Sequence, residues 1–158
     1  MFHYSRAVLR VGPRLLGACL FTFRKWVKNL AKVPFAIRNA KFRKLSKQIA
    51  DALHVDLNIF GLENIPTEGN FFLVCNHMSA FDPVPFLIAI EKPTTFVGKM
   101  ELEKVPLLKG ALKSLDVKSM NRDDLRQSLK VMLEVEADLK KQERNWMIFP
   151  EGTRIRDQ

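Results

Sequence analysis

The chain is poor in the residues that build metal centres and disulfide frameworks. It has two cysteines, Cys19 and Cys75, and three histidines, His3, His54 and His77. That excludes a disulfide-rich secreted scaffold and a zinc cluster, and the histidines are too few and too scattered for an obvious metal site. No uncharged apolar run reaches the roughly eighteen residues needed to span a bilayer. Near the N-terminus the longest is residues 15–23, bounded by Arg14 and Arg24. The strongest absence is of one sign of charge: residues 1–50 hold twelve Lys/Arg and no Asp or Glu. Residues 51–158 hold fourteen basic and seventeen acidic residues, a net of −3, so the excess behind the overall +9 lies in the first third. What is present suffices for a core. With 158 residues, 47% of them hydrophobic, the chain has the size of one domain and is not disordered by composition.

A basic, acid-free start fits an anionic membrane surface, nucleic acid, an organelle import signal or a signal peptide. Leu16-Gly17-Ala18-Cys19 resembles a lipoprotein cleavage box, but Arg14 leaves it a very short apolar region. The segment is also hardly Ser-rich, as transit peptides are. Periodicity favours the membrane. Leu16, Leu20, Phe23, Val27 and Leu30 recur at spacings of four and three, one apolar stripe of a helix over residues 14–33. Arg24, Lys28 and Lys32 repeat on another side of the wheel, Trp26 flanks the apolar face, and Pro34 ends or bends the helix. A second stretch sets Phe42, Leu45, Ile49 and Leu53 against Lys41, Lys44 and Lys47. Ordinary surface helices mix charge signs, whereas basic amphipathic helices with aromatic edges suit the interface of an anionic bilayer. The rest of the chain carries no base-reading or base-stacking module, so no nucleic acid partner is expected. Residues 1–54 are read as a membrane-interface segment of two helices.

From residue 55 the rhythm changes. Val55, Leu57 and Ile59 alternate as in a strand, and residues 64–70 are turn chemistry. Residues 71–75 are a continuous apolar run, consistent with a buried strand. A short helix over 83–91, a strand over 94–99, a helix over 105–114 and a weak strand over 117–120 follow. Asn121, with Asp124 three residues on, signals the cap of a long helix running to about residue 143. Residues 146–149 form another buried strand. Strands alternating with helices predict an α/β fold, a sheet flanked by helices, over residues 55–158.

Two segments carry unusual chemistry, each just after a buried strand, where α/β folds commonly place ligands and catalytic groups. The first is Asn76-His77-Met78-Ser79-Ala80-Phe81-Asp82-Pro83. His77 is a candidate base, because imidazole titrates near neutrality. Asp82, five residues on, would lie about 140° away on a straight helix, out of reach of the ring. Pro83 biases Asp82 away from helical geometry, so a loop or tight turn can return its carboxylate to one imidazole nitrogen. There it would fix the tautomer and leave the other nitrogen basic. The plainer alternatives are an Asp82 N-cap followed by a first-turn proline, and a His77 bound to nearby backbone. Ser79 is a weaker candidate nucleophile, and Cys75 falls within the apolar run. The second segment is Phe149-Pro150-Glu151-Gly152-Thr153-Arg154. Gly152 lets backbone approach a ligand, Arg154 can grip phosphate with two hydrogen bonds, and Glu151 can receive a hydroxyl or hold an arginine. Lys99 and Arg122 are further strand-end cations that could join Arg154 in an anion pocket. An ordinary strand-to-loop turn with solvated cations is the competing reading.

The two segments, about seventy residues apart and in this order, resemble the glycerolipid acyltransferase family, in particular its 1-acylglycerol-3-phosphate acyltransferases. Asn76-His77 to Asp82 looks like the family's NHx4D motif, and residues 149–154 match its FPEGTR motif in full. Gly98-Lys99-Met100-Glu101-Leu102 and Lys118-Ser119-Met120-Asn121-Arg122 are weaker likenesses of its middle motifs. Met78 and Asn121 depart from the family, which often has a polar residue such as Arg at the first position and Asp at the second. The resemblance implies a mixed sheet flanked by helices whose last strands lie beyond the given chain. It implies transfer of a fatty acyl group from acyl-CoA or acyl carrier protein to the sn-2 hydroxyl of lysophosphatidate, giving phosphatidate. His77 would be the base and Asp82 its partner. Lys99, Arg122 and Arg154 would hold the acceptor phosphate, with Glu151, Gly152 and Thr153 shaping the pocket. No metal and no cofactor beyond the acyl thioester is expected. The implied location is the cytoplasmic face of the cell membrane, peripheral or monotopic. The alternatives are a non-enzymatic membrane-binding remnant and an acyltransferase with another acceptor, glycerol 3-phosphate or a lysophospholipid.

Overall fold

The structure is a computed structural model and describes residues 32–79 and 81–151, together with Lys25, Val27, Asn29 and Leu30. Those four isolated residues are helical, and Pro34 stands immediately before helix α1, Phe35–Ala52. Most of the expected helix over residues 14–33 lies outside the described residues. The α/β part then runs β1 (Phe72–Val74), α2 (Pro83–Ala89), β2 (Thr94–Lys99), α3 (Pro106–Ser114), β3 (Lys118–Met120), α4 (Leu125–Lys140) and β4 (Asn145–Ile148).

The four strands form one sheet in the order β1-β4-β2-β3, with every pairing parallel. The chain crosses the sheet in one direction from β1 through β2 to β3, then returns to insert β4 between β1 and β2. Parallel crossovers are right-handed, so the return step must place its helix on the opposite face. The packing agrees. Phe96 and Met147 face a core built from Leu30, Phe42, Leu87, Ile90 and Leu115. Their strand neighbours Val97 and Trp146 face Val131 and Val135 of α4. Central strands buried on both faces read as continuous apolar runs, and β2 and β4 are the buried pair. Strand β1, expected to be buried, is an edge, and its Val74 is 58% exposed.

Several expectations are corrected. Residues 55–59 form no strand. Helix α1 ends with His54 at φ 52°, Val55 N–H donating to Ala50 O and His54 N–H to Asp51 O, so the start of that segment is consumed in closing the helix. The buried stripe of α1 is Asn39, Phe42, Ser46 and Ala50, while Ile49 and Leu53 are exposed. Polar and small side chains can occupy that stripe because they let α1 approach the sheet and find partners there: Asn39 Nδ2 donates to Thr94 O at 2.6 Å. The cap of α4 is Asp124, which accepts from Gln127 N–H at 3.0 Å, rather than Asn121. Along α4, Leu125, Leu129 and Leu133 are exposed, because Val131 and Val135 supply its sheet-facing side.

A charged cluster fastens α1 at the opposite, N-terminal edge of the sheet. Asp116, at φ 50°, receives Arg38 through both carboxylate oxygens, at 2.9 and 2.8 Å, and Arg144 at 2.6 Å. Phe35 lies against both guanidiniums, with Arg144 Cζ 4.3 Å and Arg38 Cζ 5.5 Å from its ring centre. Burial pushes the Asp116 carboxyl up, but the two arginines outweigh it and hold the group below its ordinary range. Among the described residues no helix is long and apolar enough to cross a membrane.

Candidate functional site

All the sequence-derived site residues that can be placed lie at the C-terminal edge of the parallel sheet, or in the loops just beyond it. His77 and Asp82 follow β1, Lys99 ends β2, Arg122 follows β3 and Glu151 follows β4. The strand order decides their proximity. Strand β4 is the neighbour of β1, so Phe149 and Glu151 stand beside the His77 loop. Lys99 is two strand spacings from β1, about 10 Å, and Arg122 three, about 14 Å. Gly152, Thr153 and Arg154 lie outside the described residues.

The turn after β1 does what the five-residue spacing requires. Asp82 Oδ2 lies 2.9 Å from His77 Nδ1 and also accepts the main-chain N–H groups of Met78 at 2.8 Å and Ser79 at 2.9 Å. A carboxylate only accepts, so Nδ1 carries the hydrogen and Nε2 is the basic nitrogen. Asp82 makes no side-chain cap on α2, although Pro83 opens that helix. Its backbone is helical, at φ −51° and ψ −36°, against the bias expected before proline. Its N–H donates to Ser79 O at 3.1 Å, and the turn thus closed outweighs the pre-proline preference. Burial pushes the Asp82 carboxyl up, but the Ser79 N–H, the His77 ring and the Met78 N–H hold it below its ordinary value. The group is therefore a carboxylate across the neutral range.

The neighbouring hydroxyl and thiol are tied into the turn and the core. Ser79 Oγ accepts from Phe81 N–H at 3.1 Å, which occupies it in the turn. Burial, with the Asp82 charge behind it, pushes the Cys75 thiol up, away from the reactive thiolate. Cys75 packs on the α2 side of the core, as its place in the apolar run suggests.

Two features were not legible as site features in the sequence. The His77 ring sits on Phe149, with centroids 4.7 Å apart and planes tilted by 32°, and Phe149 in turn meets Phe86 edge-on at 6.2 Å. Glu151 Oε2 accepts the main-chain N–H of His77 at 2.9 Å. Their signal was the motif over residues 149–154, but its contact with His77 depends on β4 inserting next to β1.

The more distant cations are set differently. Lys99 Nζ is 3.1 Å from Glu101 Oε1, and both side chains are about half exposed. Arg122 sits in an exposed turn held from below: Gln127 accepts from Asn121 N–H at 2.8 Å and donates to Ser119 O at 2.8 Å. Ser128 Oγ donates to Asn121 O at 2.7 Å. Among the described residues no group of His, Cys, Asp and Glu could hold a metal ion.

Comparison with known proteins bears on the same segments. Residues 56–158 match the family model described as Acyltransferase. A 1-acyl-sn-glycerol-3-phosphate acyltransferase of Borreliella burgdorferi is 32% identical over 103 residues, 65% of this chain and 40% of the relative. A probable 1-acyl-sn-glycerol-3-phosphate acyltransferase of Mycoplasma pneumoniae is 32% identical over 153 residues, 94% of this chain and 56% of the relative. A chloroplastic 1-acyl-sn-glycerol-3-phosphate acyltransferase of Arabidopsis thaliana is 30% identical over 102 residues, 64% of this chain and 28% of the relative. The chain thus spans about half or less of the length of these curated relatives. No solved structure matches. With its family match covering the whole α/β part and both chemistry-bearing segments, the chain belongs to the acyltransferase family.

Proposed function

We propose that the protein transfers a fatty acyl group from a thioester, acyl-CoA or acyl carrier protein, to the sn-2 hydroxyl of 1-acylglycerol 3-phosphate. The observation that carries this reading is the His77 Nδ1 to Asp82 Oδ2 contact of 2.9 Å in a member of the acyltransferase family. His77 Nε2 takes the hydroxyl proton as the oxygen attacks the thioester carbonyl. Asp82 holds the imidazolium that forms. The tetrahedral intermediate collapses, the C–S bond breaks, and the proton returns from Nε2 to the leaving sulfur. No acyl-enzyme is required, in keeping with the engaged Ser79 and the half-buried Cys75, whose thiol is pushed up.

Lys99, Arg122 and Arg154 would meet the acceptor phosphate, with Gly152 and Thr153 shaping that pocket beside Glu151. Lys99 stands nearer the His77 loop than Arg122, by one strand. The twelve uncompensated cations of residues 1–50 would hold the protein on an anionic membrane, at the cytoplasmic face of the cell membrane, where such an acceptor resides. Lys41, Lys44 and Lys47 supply part of that charge, and the exposed Ile49 and Leu53 supply apolar contact.

The test is thiol release from acyl-CoA and from acyl carrier protein by the full-length protein on anionic vesicles containing lysophosphatidate. Parallel arms use glycerol 3-phosphate and a lysophospholipid as acceptors. Lysophosphatidate-dependent release that His77→Ala abolishes is expected. Vesicle binding with no turnover on any acceptor would establish the non-enzymatic alternative. Turnover favouring one of the other acceptors would reassign the substrate.

A further inference from the structure

We propose that Glu151 is a positioning residue that acts through the main-chain amide of His77, and not a ligand of substrate; this rests on the acyl-transfer reading of the same site. Strands β1 and β4 pair in register from Phe72 with Trp146 to Val74 with Ile148, a constant offset in sequence. The last main-chain bond between them is Cys75 N–H to Ile148 O, at 3.1 Å. Beyond it, among the described residues, no main-chain bond ties His77 to the segment after β4. Glu151 stands at the same register offset from His77, and its side chain bridges the gap with a 2.9 Å bond to the His77 N–H.

The result is a complete account of three consecutive amides. Glu151 takes that of His77, while Asp82 takes those of Met78 and Ser79. The imidazole is then set from three sides: its amide by Glu151, its Nδ1 by Asp82, and its ring face by Phe149. Two of those three come from the end of β4. A carboxylate oxygen spent on the base's own backbone N–H is placed to fix where Nε2 points. Displacing a catalytic group by about 1 Å can cost on the order of a hundredfold in rate, so the loss of this tie should be visible in turnover.

The experiment compares Glu151→Ala, which removes the acceptor, with Glu151→Gln, which keeps an acceptor oxygen without the charge, in the full-length protein. On lysophosphatidate vesicles, Glu151→Ala should lower kcat by roughly ten- to a hundredfold and leave KM for both substrates within about twofold. Glu151→Gln should restore most of kcat. A second measurement does not depend on turnover. The chain has only three histidines, so histidine labelled with nitrogen-15 gives few amide signals. Glu151→Ala should move the His77 signal and Glu151→Gln should leave it near its wild-type position. A raised KM for lysophosphatidate, with Glu151→Gln as damaged as Glu151→Ala, would show a charge that meets substrate and overturn the proposal. So would a His77 amide signal indifferent to Glu151→Ala. A wild-type protein with no turnover would defeat the acyl-transfer reading, and the amide signal would still decide the contact.

Discussion

One oxygen of Asp82 serves His77 three times over: it lies 2.9 Å from the ring Nδ1 and accepts the two main-chain N–H groups that follow His77 in the chain. The carboxylate therefore aligns the ring and builds the loop on which the ring sits. The consequence is that charge and geometry can be separated by substitution. Asp82→Asn keeps an oxygen acceptor for the loop but loses the charge that stabilises an imidazolium. Turnover should fall by about 10²–10⁴-fold, comparable to His77→Ala, while the thermal midpoint changes little. Because the Asp82 carboxyl is held below its ordinary value, it stays ionised above roughly pH 5. Any titration of kcat/KM between pH 5 and 8 therefore belongs to another group. An Asp82→Asn variant with near-wild-type turnover would not fit this account.

Asp116 should govern the acid stability of the fold. Its carboxyl is depressed by Arg38 and Arg144, so its contribution is present above the unfolded value, near pH 4, and is lost as pH falls through the lower folded value. Asp116→Asn should lower stability at pH 7 by about 2 kcal/mol, since hydrogen bonds to charged groups are worth that much and the two guanidiniums keep only a weak acceptor. Urea titrations at pH 7 and pH 3 should show the gap between wild type and variant closing at the lower pH. An equal gap at both would dissociate Asp116 from the acid transition.

Asn145 joins three strand starts. Fully buried at the head of β4, it accepts from Phe71 N–H at 3.0 Å and donates to Pro93 O at 3.3 Å, while its own N–H donates to Pro93 O at 2.8 Å. Asn145→Leu leaves the Phe71 donor unmet and should cost about 2–3 kcal/mol by chemical denaturation. Asn145→Asp keeps the Phe71 acceptor but turns a buried carboxylate towards the Pro93 carbonyl, so it should be milder at low pH and worse at neutral pH. The opposite order would show that the donor to Pro93 does not matter.

Gly110 marks where Val27 touches α3. A Cβ built there would come within 3.1 Å of Val27 Cγ1. In an exposed helix Gly→Ala stabilises by about 1 kcal/mol; here overpacking should cancel or reverse that, leaving a loss of about 1 kcal/mol. Pairing Gly110→Ala with Val27→Ala should recover at least about 1 kcal/mol of coupling in a double-mutant cycle. Additive effects would separate Val27 from α3.

Local and periodic properties could be read from the order of residues alone. Strand β2 and helix α2 fall where apolar runs and proline punctuation put them, because propensity and binary pattern act over neighbouring residues. The two chemistry-bearing segments were legible too, since their residue types and spacing survive without any fold, and so was the return of Asp82 to His77 by a tight turn. The tertiary structure decided what depends on partners distant in sequence. Val55 became part of a helix terminus, and Asn39, Ser46 and Ala50 displaced Ile49 and Leu53 from the core, because packing geometry and available acceptors outweigh hydropathy at a helix–sheet contact. Above all, the return of the chain to place β4 beside β1 brought Glu151 to the amide of His77 and Phe149 under its ring. Strand order is set by crossover handedness and by which faces can be buried together, and neither is written in any single segment.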